Sequence, residues 1–333
     1  MSEKRKIRCV VTGSTGFIGS NLIQLLVSRH FEVICPVREP NKVKHLLSSN
    51  TKIITFEALE RDSTVSDRFE YFFHLAGATR ALNYEGYYEA NVKLAKRMLD
   101  FVIKRSDPRF FKKFVLVSSQ AVSGPADSSE KAVTENDVPN PISLYARSKL
   151  EAEKMALTFA DLIPLTIVRP STVFGPRDID VLGVFKSCKY GVAPCLSGKD
   201  RRVSVVFVDD LIEGIVRSAF SENSFGETYF LTNPDPVIWR DFIKDIARVM
   251  GSRVLIAPLP KFILRTFGRF SDVIGALSRK PQMFRTDKIR EMDQMYWICS
   301  SEKARRDLDW VPQYSVVEAL TKTFRWYKDN GWL

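Results

Sequence analysis

Short runs of apolar residues recur through the first half of the chain. Between them lie longer stretches in which apolar positions fall at helical spacing. Residues 7–11, 31–37, 52–56, 71–75, 114–118 and 165–168 read as strands. The intervening stretches near 21–26, 43–47, 85–104 and 143–160 read as helices. The strand runs are continuously apolar, as expected of strands covered on both faces. Alternation with helices predicts an α/β fold with a Rossmann-type, doubly wound parallel sheet. Ligands of such sheets gather outside the carboxyl ends of the strands.

After Arg169-Pro170 the rhythm changes, and Pro, Gly and short apolar segments become frequent. Residues 203–208 return to the pattern as a strand, followed by a helix over 209–220 capped by an Asp. The expected division is a nucleotide-binding domain over 1–170, with 203–225 returning to it. A smaller, mostly C-terminal α/β substrate domain takes 171–202 and 226–333. Residues 261–277 carry apolar residues at helical spacing, with Lys261, Arg265 and Arg269 among them. The plainer reading is an amphipathic helix covering the substrate cleft; the sharper one is a helix lying on a membrane surface. A final helix over 316–328 stops at Asn330-Gly331. Loops over 78–84, 120–128 and 177–190 are expected to frame the substrate.

Composition narrows the function classes. Fifty Lys and Arg against 39 Asp and Glu give a net charge of +11 in 333 residues. The cations are scattered, without basic blocks or interleaved aromatics. That argues for a solvated basic surface, helpful to an anionic cofactor, rather than nucleic-acid binding. No apolar run approaches membrane-spanning length. The polar start of the chain fits no signal peptide, so a cytoplasmic protein is expected. Cys9, Cys35, Cys188, Cys195 and Cys299 form no close pair and are odd in number, as suits reduced thiols. His30, His45 and His74 make no ligand-spaced motif, so no metal site is expected.

The first strand runs into Gly13-Ser14-Thr15-Gly16-Phe17-Ile18-Gly19, and an amphipathic helix follows. Glycine admits positive φ and lets a ligand approach the backbone. The free N–H groups of the helix start then face that ligand with the positive end of the helix dipole behind them. This context favours a dinucleotide pyrophosphate over an ordinary strand-to-helix turn. The spacing is one residue longer than the common fingerprint.

A second constellation is Tyr145-Ala146-Arg147-Ser148-Lys149, which puts Tyr145 and Lys149 on one helical face. A phenol is too weak an acid for easy proton transfer at neutral pH. A nearby ammonium favours phenolate and lowers that pKa. The preceding strand ends in Ser118-Ser119, where a serine could hydrogen-bond a substrate oxygen.

Together these segments resemble the extended short-chain dehydrogenases/reductases of the epimerase/dehydratase superfamily. The matching segments are Thr12-Gly13-x-x-Gly16-x-x-Gly19, His74-Leu75-Ala76-Gly77, Asn91-Val92, Val117-Ser118-Ser119, Tyr145-x-x-x-Lys149, Arg169-Pro170 and Phe207-Val208-Asp209-Asp210. They follow the family's order over nearly the whole chain. The resemblance implies Tyr145 as acid/base, Lys149 as its pKa modifier and ribose ligand, and Ser119 as the group polarising the substrate oxygen. Asn91 would support the lysine, or else be a helix-surface amide. Leu75, Ala76 and Gly77 would line the adenosine side, and Pro170, Ser171 and Val173 the nicotinamide side. Asp62 would touch the adenine, or else be an ordinary loop Asp. His74 reads as a packed strand-end residue. The family's habit of pairing through two helices implies a homodimer, here through helices near 87–104 and 145–160.

For the cofactor, Arg38 follows the second strand, where an NAD site usually places a carboxylate. Its guanidinium suits a 2′-phosphate, and Lys42 and Lys44 follow closely. The 38–47 segment resembles that of dihydroflavonol-reductase-like and cinnamoyl-reductase-like enzymes, which use NADP. NADP(H) is therefore expected; Glu39, one position on, keeps NAD as the alternative. The leading expectation is an NADP-dependent oxidoreductase acting on a small-molecule carbonyl or secondary alcohol. A 3β-hydroxysteroid-dehydrogenase-like branch would favour a bulky apolar substrate. The alternative is a nucleotide-sugar epimerase, dehydratase or reductase, with Arg201 or Arg202 meeting a diphosphate. A non-catalytic NADP-sensing protein is the third reading.

Overall fold

The structure, a computed structural model, describes residues 6–40, 50–61, 68–198, 200–278, 282 and 286–333. The expected cofactor residues Lys42, Lys44 and Asp62 lie outside the described residues, as does the helix near 43–47. Six strands of the first half are β1 (Arg8–Thr12), β2 (Glu32–Val37), β3 (Thr51–Thr55), β4 (Tyr71–His74), β5 (Lys113–Val117) and β6 (Leu165–Pro170). With Thr228–Leu231 they form one seven-stranded sheet, in the order Thr228–Leu231, β6, β5, β4, β1, β2, β3. Every pairing in it is parallel. The chain runs outward from β1 through β2 and β3, then restarts at β4 on the other side of β1. The order thus reverses between β1 and β4, and a crevice opens there at the strands' carboxyl ends.

Both faces of the sheet are buried, which is why its strands read as unbroken apolar runs. Val10, Phe72, Phe114 and Leu165 are register partners across four strands and pack on one face. There they meet Met98, Leu99 and Val102 of the Leu94–Arg105 helix. Phe72 and Phe114 stack with ring centroids 5.0 Å apart. Val11, Phe73 and Val115 face the opposite layer, formed by the Phe17–Ser28 and Val208–Phe220 helices. Each such large side chain contributes about 1.5–3 kcal/mol on burial.

Several elements differ from expectation. The strand expected over 203–208 is broken at Ser204 into Arg202–Val203 and Val205–Phe207. Ser204 Oγ takes the Cys299 N–H at 3.0 Å and donates to the Cys299 carbonyl at 3.3 Å. Val205–Phe207 pairs with Thr172–Phe174 rather than with the main sheet. The strand that does return to the main sheet is Thr228–Leu231. The Val208–Phe220 helix carries no side-chain cap, because Phe207 occupies its N-cap position. Asp210 instead accepts the N–H groups of Gln313 (2.7 Å) and Tyr314 (3.3 Å), tying the C-terminal segment to the helix. Residues expected as a loop near 177–190 are mostly the Ile179–Lys189 helix, capped by Asp178. The long helix expected over 85–104 spans three segments, with a π-helical turn at Tyr88–Lys93 in its middle.

The remaining strands form small sheets beyond the crevice. Arg202–Val203 lies between Val237–Ile238 and Tyr296–Trp297. Val192–Leu196 pairs in parallel with Leu255–Leu259. The Lys261–Ser278 and Thr286–Met292 helices pack against each other, and the latter holds the start of the Leu144–Leu157 helix. No helix among the described residues is long and apolar enough to cross a membrane.

Candidate active site

The glycine loop leaves β1 at the crevice. Gly13 holds φ at +71°, and a Cβ there would lie 2.7 Å from backbone atoms of Leu75 and Ala76. Glycine at 13 therefore lets β1's exit cross β4's exit without collision. The Gly16 N–H closes the turn on the Gly13 carbonyl at 3.0 Å. The Phe17–Ser28 helix then starts with Gly16 as N-cap, with no side-chain cap and no acidic residue in its first turn. Its first N–H groups thus fit an anion such as a pyrophosphate. Thr15 and Gly16 are exposed, Phe17 and Ile18 half-buried, and Gly19 buried against the turn.

Thr12 and His74 fasten the two strand ends together. Thr12 Oγ1 shares a 2.9 Å hydrogen bond with His74 Nδ1 and accepts the Ala76 N–H at 3.2 Å. Burial, with Lys149 as the lesser cause, brings the His74 pKa down to about 3. The imidazole is therefore neutral and structural, in line with a packed strand-end residue. Leu75 and Ala76 emerge half-buried beyond it, and Gly77 is exposed.

Asn91 sits 2% exposed in the π-helical turn. Its Oδ1 accepts the Ala78 N–H at 2.7 Å. Its Nδ2 donates to the Ala78 carbonyl (3.1 Å) and to Ser148 Oγ (2.8 Å). A Cβ on residue 77 would come within 2.6 Å of Asn91 Oδ1. Asn91 thus reaches the lysine indirectly: it fixes the loop after β4 and the residue just before Lys149. The surface-amide alternative does not hold.

The Leu144–Leu157 helix presents Tyr145 and Lys149 one turn apart. Ser143 caps it, accepting the Ala146 N–H at 3.0 Å. Ser119 lies at the exit of β5, where its Oγ accepts the Ala121 N–H at 3.2 Å. Burial holds the Tyr145 phenol well above its ordinary pKa; the nearby Ser119 hydroxyl pulls it back, while Glu291 and Tyr87 push it further up. Lys149 Nζ donates to the Val117 carbonyl at 2.7 Å. Burial lowers the Lys149 pKa to about 8, with Glu153 opposing. The ammonium reaches the end of β5, and a Cβ on residue 77 would be 4.0 Å from it. Ser119, Tyr145, Lys149 and Asn91 thus converge at one end of the sheet.

The other candidates surround this point less tightly. Pro170 and Ser171 are buried at the exit of β6, and Val173 is half-buried beyond it. Ser171 Oγ has no hydrogen-bond partner among the described residues. Arg38 is exposed just past β2. Arg201 is buried, donates to the Leu196 carbonyl at 3.1 Å and lies 3.7 Å from Asp293, whereas Arg202 is exposed.

Four further residues shape the site. Asp287 accepts the Leu144 N–H (2.8 Å), and Glu291 accepts from Ser143 Oγ at 2.5 Å. Glu153 takes a bidentate bond from Arg169, at 3.0 and 2.6 Å. Ser148 receives the Asn91 amide. Glu153 stands four residues after Lys149, and Asp287 and Glu291 are also four apart, so each set shares a helix face. Their partners, however, lie on distant segments.

Comparison with known proteins identifies the family. A family model described as the NAD dependent epimerase/dehydratase family matches residues 9–229. A ceramide reductase of Caulobacter vibrioides (strain NA1000 / CB15N) is 28% identical, over 97% of this chain and 95% of its own length. A 3 beta-hydroxysteroid dehydrogenase/Delta 5-->4-isomerase of Mycobacterium tuberculosis (strain ATCC 25618 / H37Rv) is 24% identical, over 96% of this chain and 90% of its own. Among solved structures, a UDP-glucuronic acid 4-epimerase from Bacillus cereus, in complex with a fluorinated UDP-sugar and NAD, superposes with a TM-score of 0.77. It is 20% identical, covering 97% of this chain and 100% of that one. The chain is therefore an enzyme of the NAD dependent epimerase/dehydratase family.

Proposed function

We propose that this enzyme is an NADP-dependent oxidoreductase acting on a carbonyl or secondary alcohol, with Tyr145 as the acid/base. The convergence of Ser119, Tyr145 and Lys149 at the exit of β5 carries the reading, because it brings two O–H groups and an ammonium to one place. When bound, the nicotinamide supplies or accepts the hydride at C4. In the reducing direction Ser119 holds the substrate oxygen. Tyr145 delivers a proton to that oxygen as the carbonyl carbon gains the hydride. Lys149 takes the ribose hydroxyls and brings positive charge beside the phenolate left on Tyr145. A phenol held high by burial stays protonated until that charge and a substrate oxygen meet it.

The pyrophosphate would rest on the N–H groups after Gly16, with Leu75, Ala76 and Gly77 toward the adenosine and Pro170, Ser171 and Val173 toward the nicotinamide. Arg38, with Lys42 and Lys44, is assigned to the 2′-phosphate. A nucleotide domain and a smaller substrate domain belong to the same reading, with Thr228–Leu231 moved to the nucleotide domain, as does a homodimer through the helices near 87–104 and 145–160.

Similarity to a ceramide reductase favours an apolar, long-chain carbonyl substrate. The nucleotide-sugar alternative asks a cation to meet a diphosphate. Arg201 suits that role poorly, because a diphosphate there would also face the Asp293 carboxylate. Fluorescence titration with NADPH and NADH, followed by a panel of carbonyl substrates, tests the reading. Tighter NADPH binding and turnover of long-chain ketones are expected. Preference for NADH with UDP-sugar turnover would overturn it.

A further inference from the structure

The Lys261–Ser278 helix packs on the protein along one narrow edge. Leu264 is buried, and Gly268 passes so close to the next helix that a Cβ there would lie 2.4 Å from Ile289 Cδ1. At 100° per residue, the outward arc across from that edge holds Phe262, Ile263, Phe270, Ile274 and Leu277. These are 71%, 44%, 62%, 40% and 81% exposed. Five large apolar side chains on one turn-aligned face far exceed the scattered apolar exposure usual on a protein surface.

The charge on this helix lies along one arc beyond the buried edge: Lys261, Arg265 and Arg269 are exposed there, and Asp272, half-buried among them, is taken up by the Thr286 N–H. Lys261 and Arg265 share the single carboxylate of Asp293, at 2.7 and 2.8 Å, so that cluster keeps a positive excess. An apolar face of Phe, Ile and Leu bordered by cations is the pattern of a helix lying in a lipid interface. The helix has 18 residues, but no helix among the described residues is apolar enough to span.

We infer that the Lys261–Ser278 helix docks this enzyme on an anionic phospholipid bilayer, its apolar face in the acyl boundary and its cations at the headgroups. The position of the helix matters for the site. Its partner, the Thr286–Met292 helix, holds the Leu144 N–H through Asp287 and the Ser143 hydroxyl through Glu291, directly before Tyr145. Docking would therefore set the mouth of the active site at the bilayer surface. That this serves a bilayer-borne carbonyl rests on the reductase reading; the docking itself does not.

Co-sedimentation of the full chain with phosphatidylcholine vesicles, with and without phosphatidylglycerol, tests the inference without any turnover. Binding to the anionic vesicles is expected, severalfold weaker on neutral ones. The double variant Phe262→Glu/Phe270→Glu changes exposed positions only and is expected to lose about tenfold or more of that binding. Its turnover of a water-soluble carbonyl stays unchanged. Arg269→Glu keeps the apolar face and lowers binding to the anionic vesicles alone. Absence of vesicle binding by the wild type would overturn the inference, as would equal binding by the double variant. So would a wild-type dimer that the double variant converts to monomer, since the face would then be covered by a second copy.

Discussion

Arg169 and Glu153 form a buried, bidentate ion pair between β6 and the helix that carries Tyr145 and Lys149. Arg169 Nη1 also donates to Ser123 Oγ at 3.2 Å. The pair fixes the tilt of that helix against the sheet, and Glu153 also opposes the burial that lowers the Lys149 pKa. Arg169→Ala leaves a carboxylate buried without its partner, which costs about 3–5 kcal/mol. Urea unfolding should show that loss. The double variant Arg169→Met/Glu153→Leu should recover most of the stability, because it leaves no orphaned charge. A double variant as unstable as the single one would contradict this account.

Asn91 offers a second test. Replacing it with Ala orphans the Ala78 N–H and carbonyl in a buried setting and frees Ser148. A cost of about 1–3 kcal/mol is expected. Because Asn91 acts through Ala78 and Ser148, kcat should fall while the NADPH dissociation constant changes little. Steady-state kinetics paired with a fluorescence titration separates the two. A large loss of cofactor affinity with kcat unchanged would place Asn91 against the cofactor instead.

The strands of the first half were legible because each is covered on both faces and so carries an unbroken apolar run. Val10, Phe72 and Phe114 show this directly, as register partners in one buried layer. The glycine loop was legible for a related reason: Gly13 answers a local backbone demand. What escaped the sequence depends on distant partners. The break at Ser204 exists because Cys299, 95 positions away, offers its N–H and carbonyl. An Asp at the start of the 209–220 helix reads as its cap, yet Phe207 stands at the N-cap and Asp210 is spent on Gln313 and Tyr314. Asp287 and Glu291 act on Leu144 and Ser143 from more than 140 positions away. The Lys149 spacing to Tyr145 was visible, but its hydrogen bond to the Val117 carbonyl was not.

Gly13 and Gly226 have nearly the same backbone angle, φ +71° and +73°, in different surroundings. A Cβ at 226 would meet nothing within 4 Å, whereas at 13 it would meet the Leu75 and Ala76 backbone at 2.7 Å. Gly226→Ala should therefore cost only the left-handed strain, about 1 kcal/mol. Gly13→Ala should cost clearly more and weaken NADPH binding as well. Thermal unfolding of both variants checks this; equal losses would remove the crowding argument.

His74 gives the protein an acid-sensitive term. Its pKa is about 3 when folded, against an ordinary value of 6.5. Below that ordinary value the unfolded chain takes up a proton that the folded one refuses. The group's contribution is therefore intact above pH 6.5 and is lost as pH falls toward 3. Between pH 7 and 5 it amounts to about 2 kcal/mol. His74→Asn should flatten that part of the profile by a similar amount in urea unfolding at the two pH values. An unchanged slope would mean that the imidazole charges freely in the folded state.

The central claim is that Tyr145 moves the proton while the cofactor site stands independently of it. Single-turnover oxidation of bound NADPH by a long-chain ketone, compared between wild type and Tyr145→Phe, tests that claim most directly. An NADPH dissociation constant within about threefold of wild type and a rate lower by about 100-fold or more are expected. Turnover at the wild-type rate in Tyr145→Phe, with the cofactor bound as tightly, would contradict it.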